Sequence, residues 1–161
     1  MYVYLVMDKH YLTWQEFDVL CNDLQSKIKQ YELDRNLKID CIIGLLRGGT
    51  IPAVWLAHNL NLPMRIIGLK TYEDTKQTDD VLFYNDIGKE LSDFVENKNV
   101  LVVDDICDTG RTISCITSYL QKRSNCKSHT FATLHRAHDS YYVPCIYAAE
   151  STQWIVYPWE A

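Results

Sequence analysis

The chain has no Cys-x-x-Cys pair. Its six cysteines, at positions 21, 41, 107, 115, 126 and 145, show no metal-ligand spacing and read as reduced thiols in a cytoplasmic protein. It has no apolar run near the roughly 20 residues that span a bilayer, and no signal-peptide pattern, so neither a membrane anchor nor secretion is expected. Positive charge is scarce as well: 16 Lys and Arg face 21 Asp and Glu, for a net charge of −5, which argues against a general nucleic-acid binder. Repeats, low-complexity tracts and linkers are missing, and the 161 residues read as a single domain, 1–161. A chain of this length buries roughly 70% of its unfolded surface, enough for its own core. No Gly-x-x-x-x-Gly-Lys-Ser/Thr occurs, which excludes a phosphate-loop ATPase.

What is present is an alternation of two periodicities. Thr13-Trp-Gln-Glu16 reads as a capping box, and Phe17, Leu20, Cys21, Leu24, Ile28 and Tyr31 follow at helical spacing. Ile39 to Leu46 is nearly continuous in apolar residues, as suits a central parallel strand covered on both faces. Arg47-Gly48-Gly49 ends it, and Pro52 suits the first position (N1) of a helix running to about Asn61. Met64 to Leu69 reads as a strand. Lys70 to Asp86 is the longest polar interval and reads as a mobile loop over about 70–86, with a short hairpin around Val81 to Tyr84. Strand Val100–Asp104, helix Arg111–Lys122 and strands His129–Leu134 and Cys145–Ala149 complete the pattern. Strands alternating with helices predict a doubly wound α/β sheet with ligands at the strand C-terminal ends, where Arg47, Asp104 and His135 fall.

The stretch Val100 to Thr112 carries the chemistry. A buried strand ends at two adjacent carboxylates, Asp104 and Asp105, and Asp108-Thr109-Gly110-Arg111-Thr112 opens the next helix. A helix N-terminus offers free N–H groups and partial positive charge, so this turn suits a phosphate. Gly110 permits close approach of the backbone, and the Thr109 and Thr112 hydroxyls add donors. Asp104 and Asp105 cannot bind that phosphate but can accept from a vicinal diol. A phosphate receptor beside a diol receptor describes a ribose-5-phosphate site. The bland alternative is a loop whose acids merely cap a helix. Arg47-Gly48-Gly49 offers a second strand-to-helix turn, with a charge and two glycines. Trp154-Ile-Val-Tyr-Pro-Trp-Glu160 is an aromatic tail, suited to stacking on a base, to core packing or to a subunit contact.

The Asp104–Thr112 motif resembles the 5-phosphoribosyl-1-pyrophosphate (PRPP) loop of the type I phosphoribosyltransferases, and the likeness runs in consistent order from about Tyr11 to Glu160. It implies a Rossmann-like parallel sheet flanked by helices, with a small hood from the N- and C-terminal segments. It further implies that Asp104 and Asp105 hold the ribose and that Thr109, Gly110, Arg111 and Thr112 hold the 5-phosphate. Arg47, Gly48 and Gly49 would take the pyrophosphate, through a cis peptide at Leu46–Arg47. Within the family the tail looks like that of the 6-oxopurine enzymes. By that likeness Trp154 stacks on the purine, Ile155 reads it through its backbone over a base-binding tail of about 150–161, and Glu160 joins Asp104 and Asp105 at Mg2+. Thr71 and Tyr72 fall where the subfamily has a closing-loop pair. His135 stands where a lysine normally reads the purine 6-oxygen, with Arg136 as the neighbouring candidate. Asp108 matches the residue that faces the base at N7 as general acid/base, although an aspartate near its reference pKa of about 3.9 is a weak base.

The resemblance thus implies Mg2+-dependent transfer of a phosphoribosyl group from PRPP to guanine, xanthine or hypoxanthine, in a homo-oligomeric salvage enzyme (dimer or tetramer). A phosphoribosyltransferase for another base and a non-catalytic PRPP or nucleotide sensor are the competing readings.

Overall fold

The computed structural model describes residues 8–70, 82–83 and 88–160. Thr71 and Tyr72 lie outside them, as does most of the expected 70–86 loop. In chain order the elements are β1 (Lys9–Tyr11), α1 (Trp14–Arg35), β2 (Cys41–Leu46), α2 (Thr50–Leu60), β3 (Met64–Lys70), β4 (Leu82–Phe83), α3 (Gly88–Val95), β5 (Asn99–Cys107), α4 (Arg111–Arg123), β6 (Ser128–Ala137), β7 (Ile146–Ser151) and β8 (Trp154–Val156).

Local sequence explains the starts and stops. Thr13 and Glu16 form the expected capping box: Glu16 N–H donates to Thr13 Oγ1 at 3.2 Å, and Thr13 N–H donates to Glu16 Oε2 at 2.8 Å. Asn36 and Asn61, both left-handed, close α1 and α2. Pro52 sits in the first turn of α2, where its missing N–H costs nothing.

The main sheet has the order β4-β3-β2-β5-β6-β7, parallel except for β4, which pairs antiparallel with β3. Period-two alternation sends successive side chains to two cores. Ile42, Leu101, Val103, Ala132 and Leu134 face α1 and α2, where Phe17, Leu24, Ile28 and Leu56 are buried. Cys41, Ile43, Leu45, Val100, Val102 and Phe131 face α3 and α4, against Leu91, Val95, Ile116 and Leu120. Strands covered on both faces account for the continuous apolar run of β2. A second, two-stranded sheet pairs β1 in parallel with β8, Lys9 opposite Trp154. It joins the N- and C-terminal segments as the expected hood.

The order in which successive strands are added reverses between β2 and β5, which are parallel hydrogen-bonded neighbours with Gly44 opposite Val103. A crevice opens at such a switch point, outside the strand C-termini. The loops leaving β2 and β5 are the two singled out in the sequence.

All six cysteines are free. Among the described residues no helix is long and apolar enough to cross a membrane.

Candidate active site

Two helices begin at the crevice with no side chain capping them. Gly49 is the N-cap of α2, following a cis Leu46–Arg47 peptide, and Gly110 is the N-cap of α4. Gly110 has φ +85°, and a Cβ there would meet Tyr142 Cβ at 2.2 Å, so both backbone and space demand glycine. In the Asp108–Gly110 turn, Thr109 Oγ1 accepts from Arg111 N–H at 3.3 Å. Asp108 does not cap α4, so the bland reading of the motif fails there. The first N–H of each helix is engaged locally, Thr50 N–H with Arg47 O at 3.3 Å and Arg111 N–H with Thr109 Oγ1, and each end directs its positive dipole into the crevice.

The acids lie between these ends. β5 runs three residues further than expected, to Cys107, so Asp104 and Asp105 belong to the paired strand. Asp105 N–H donates to Asp104 Oδ1 at 3.0 Å, and Ile106 N–H donates to Asp105 Oδ1 at 2.8 Å. Gly49 adds a backbone hydrogen bond to Asp104. Burial, reinforced by the neighbouring Asp105 charge, pushes the Asp104 carboxyl well above the usual carboxylate range. Burial also raises Asp105, and Glu160 adds to the rise. Among the described residues no Lys, Arg or His forms an ion pair with any of these three acids. The Asp105 carboxylate fills the space over Gly48: a Cβ at Gly48 would fall 1.7 Å from Oδ2. Gly49 is tighter still, with Val103 O at 2.6 Å and Asp104 Cα at 2.8 Å from a built Cβ. The two loops therefore touch, and Arg47 lies exposed beside them.

A cavity of about 530 Å³ opens from the acids toward the tail. Asp105, Ile106 and Asp108 form one wall, Ala137, His138 and Asp139 another, and Trp154, Ile155, Tyr157 and Glu160 a third. The tail splits between the roles the sequence left open. Trp154 is 55% exposed and faces the cavity. Trp159 instead packs: it stacks on Tyr157 at 4.8 Å and meets Phe17 edge-on at 5.5 Å. Glu160 Oε2 accepts from Tyr157 N–H at 2.9 Å, which holds the tail's turn.

His135 is a correction. It does not line this cavity; it borders a separate one with His10, Leu12 and Glu16. β6 continues to Ala137, so His135 is interior to the strand and 5% exposed. Its Nδ1 is 2.9 Å from Tyr157 Oη, and Tyr157 O–H donates to Asp105 O at 3.0 Å. That hydroxyl has one proton, so His135 carries its hydrogen on Nδ1 and is the donor. Burial, then His10, pushes its pKa down to about 4, so the ring is neutral. Arg136 does not line the cavity either, since its Nη1 donates to Glu150 Oε2 at 2.8 Å.

Tyr157, Ala137, His138 and Glu150 were not singled out from sequence. Tyr157 stood inside the aromatic tail without a distinguishing signal, and the other three depend on where β6 ends.

An open, mostly parallel sheet with a glycine turn at a helix N-terminus, an acid pair and an aromatic-walled cavity at its switch point defines an α/β protein with a ligand-binding crevice. The model of the phosphoribosyl transferase domain matches residues 8–161, and the chain belongs to that family. It is 26% identical over 156 residues to the xanthine-guanine phosphoribosyltransferase of Idiomarina loihiensis, covering 93% of this chain and 86% of that one. The crystal structure of purine phosphoribosyltransferase from Pyrococcus horikoshii Ot3 superposes with a TM-score of 0.76 at 33% identity, covering 96% and 95% of the two chains. A hypothetical protein from Neisseria gonorrhoeae with bound ppGpp superposes with a TM-score of 0.77 at 25% identity, covering 97% and 91%.

Proposed function

We propose that the protein transfers the 5-phosphoribosyl group of PRPP to a 6-oxopurine, guanine, xanthine or hypoxanthine, and releases pyrophosphate in purine salvage. The observation that carries this reading is the acid pair set between two uncapped helix N-termini and opening onto the Trp154 cavity. The names of the relatives support it.

The ring nitrogen of the base displaces pyrophosphate from ribose C1, through a state with oxocarbenium character on the sugar and added negative charge on the leaving group. The Thr109–Thr112 turn binds the 5-phosphate through the α4 N-terminus. The Arg47–Gly49 loop binds the pyrophosphate, where the Arg47 cation and the α2 dipole stabilise the departing charge. Asp104 and Asp105 accept from the ribose hydroxyls and orient C1. Trp154 stacks on the purine, and the backbone at Ile155 reads its edge. Asp108, exposed at the mouth of the cavity, receives or returns the proton at N7.

The acids suit Mg2+. They are hard oxygen donors with no cationic partner among the described residues, and burial raises the pKa of Asp104 and Asp105. The described residues form no cage of three or more ligands, so an ion here would depend on substrate phosphates to complete its oxygen ligands. Asp104 and Asp105 would hold it together with the substrate phosphates, with Glu160 assisting, and once bound it would neutralise pyrophosphate charge. The reading includes a cytoplasmic homo-oligomer, dimer or tetramer, supported by free thiols and by exposed Val54, Tyr141 and Val143.

A second reading, a PRPP- or nucleotide-binding regulator, draws on the likeness to the ppGpp-bound protein. Pyrophosphate release from PRPP and Mg2+, run with guanine, xanthine, hypoxanthine and adenine, separates the two. Release that requires a 6-oxopurine supports the transferase. Release with adenine alone makes it an enzyme for another base, and no release with measurable PRPP binding supports the regulator.

A further inference from the structure

The cavity wall across from Trp154 departs from the sequence expectation, and the departure has chemical content. Among the described residues lining the cavity His138 has the only basic side chain, while Asp105, Asp108, Asp139 and Glu160 supply carboxylates. His138 is held in place. Its backbone N–H donates to Ser151 O at 2.9 Å, tying the end of β6 to β7. Its Nδ1 is hydrogen-bonded to Glu150 Oε1, and the other Glu150 oxygen accepts from Arg136 Nη1 at 2.8 Å. Glu150 is thus fixed from one side by Arg136 and fixes His138 on the other. The contacts with His138 and Arg136 hold the Glu150 carboxyl below its usual range.

We propose that His138, oriented by Glu150, reads the oxygen at purine C6; the assignment rests on the purine-transferase reading above. A 6-oxo group needs a donor. With the Nδ1 hydrogen committed to Glu150, the free nitrogen is Nε2, and it donates when the ring is the imidazolium. His138 is a specificity residue that touches the base, and Glu150 is a positioning residue that acts through it.

The test compares hypoxanthine with purine, which lacks the C6 oxygen, in wild type, His138→Ala, His138→Lys and Glu150→Gln. The readouts are kcat/KM for each base and KM for PRPP. Wild type should prefer hypoxanthine by about tenfold or more, as expected for one hydrogen bond from a charged donor. His138→Ala should bring that ratio close to one with KM for PRPP unchanged. His138→Lys, a permanent donor, should keep the preference, and Glu150→Gln should reduce it. An unchanged ratio in His138→Ala overturns the assignment while leaving the transferase intact. So does a parallel loss for both bases and for PRPP. If wild type releases no pyrophosphate with any base, the transferase reading itself has failed and this assignment goes with it.

Discussion

Replacing Tyr157 with phenylalanine isolates one hydroxyl at the centre of the fold. Tyr157 is 2% exposed, and its ring stacks on Trp159. Phenylalanine keeps that ring, so little apolar burial is lost. Two partners are orphaned instead: the His135 Nδ1–H at 2.9 Å and the Asp105 carbonyl at 3.0 Å. Each buried group left without a partner costs about 1–3 kcal/mol. We therefore expect Tyr157→Phe to destabilise the fold by about 2–4 kcal/mol, a large share of the roughly 5–15 kcal/mol of a typical domain. Urea unfolding measures this as a lower midpoint with unchanged slope. A double variant with His135→Phe removes one orphan together with its cause. Its loss should fall at least about 1 kcal/mol short of the sum of the single losses. A loss below about 0.5 kcal/mol for Tyr157→Phe, or strict additivity in the cycle, would refute the relay.

Three further outcomes are expected. His135 titrates at about 4 in the folded state and at about 6.5 when unfolded, so as pH falls the unfolded chain takes up the proton first. Its contribution, at most about 3 kcal/mol, is present above pH ~6.5 and is lost between ~6.5 and ~4; denaturation across that window should show a shallower decline in His135→Phe, and equal slopes would remove the cause. Gly49→Ala should cost about 2 kcal/mol or more, because its Cβ would meet only backbone atoms. Gly48→Ala meets the movable end of Asp105 and should spare stability within ~1 kcal/mol while weakening PRPP binding; calorimetry on both variants decides, and similar melting losses would go against us. Asp108→Asn should lower turnover far more than PRPP affinity, and equal losses would sink its role at N7.

Where sequence reading succeeded, local physics was sufficient. The capping box, the two-sided burial of β2 and the apolar face of α1 each follow from residues adjacent in sequence or one helical turn apart. The Asp104–Thr112 loop was legible because its spacing encodes strand, turn and helix together. His135 was misplaced because the apolar run ends at Leu134, whereas the ladder does not. Pairing of Cys107 with Arg136 and of Ala137 with Ser151 carries β6 onward. A strand's end is set by its neighbours, which a single segment cannot reveal. Short α3 does carry an apolar i, i+3, i+4 set in Leu91, Phe94 and Val95, but at about two turns, directly after the polar interval, it is brief enough to pass unread. The β1–β8 pair joins opposite ends of the chain and leaves no local trace.

That last pairing also sets an order of assembly. Trp154 N–H donates to Asp8 O at 3.0 Å, and β1 finds its only described partner in β8. The turn at 108–110 is set by β5, α4 and the nearby Tyr142, whereas the Trp154 wall closes on a contact between β1 and β8, more than 140 residues apart. Contacts of such long sequence separation form late, after the local ones have reduced their entropic cost. During synthesis, then, the turn at 108–110 forms well before the wall that carries Trp154 is complete. That wall waits until β8 has left the ribosome and found β1.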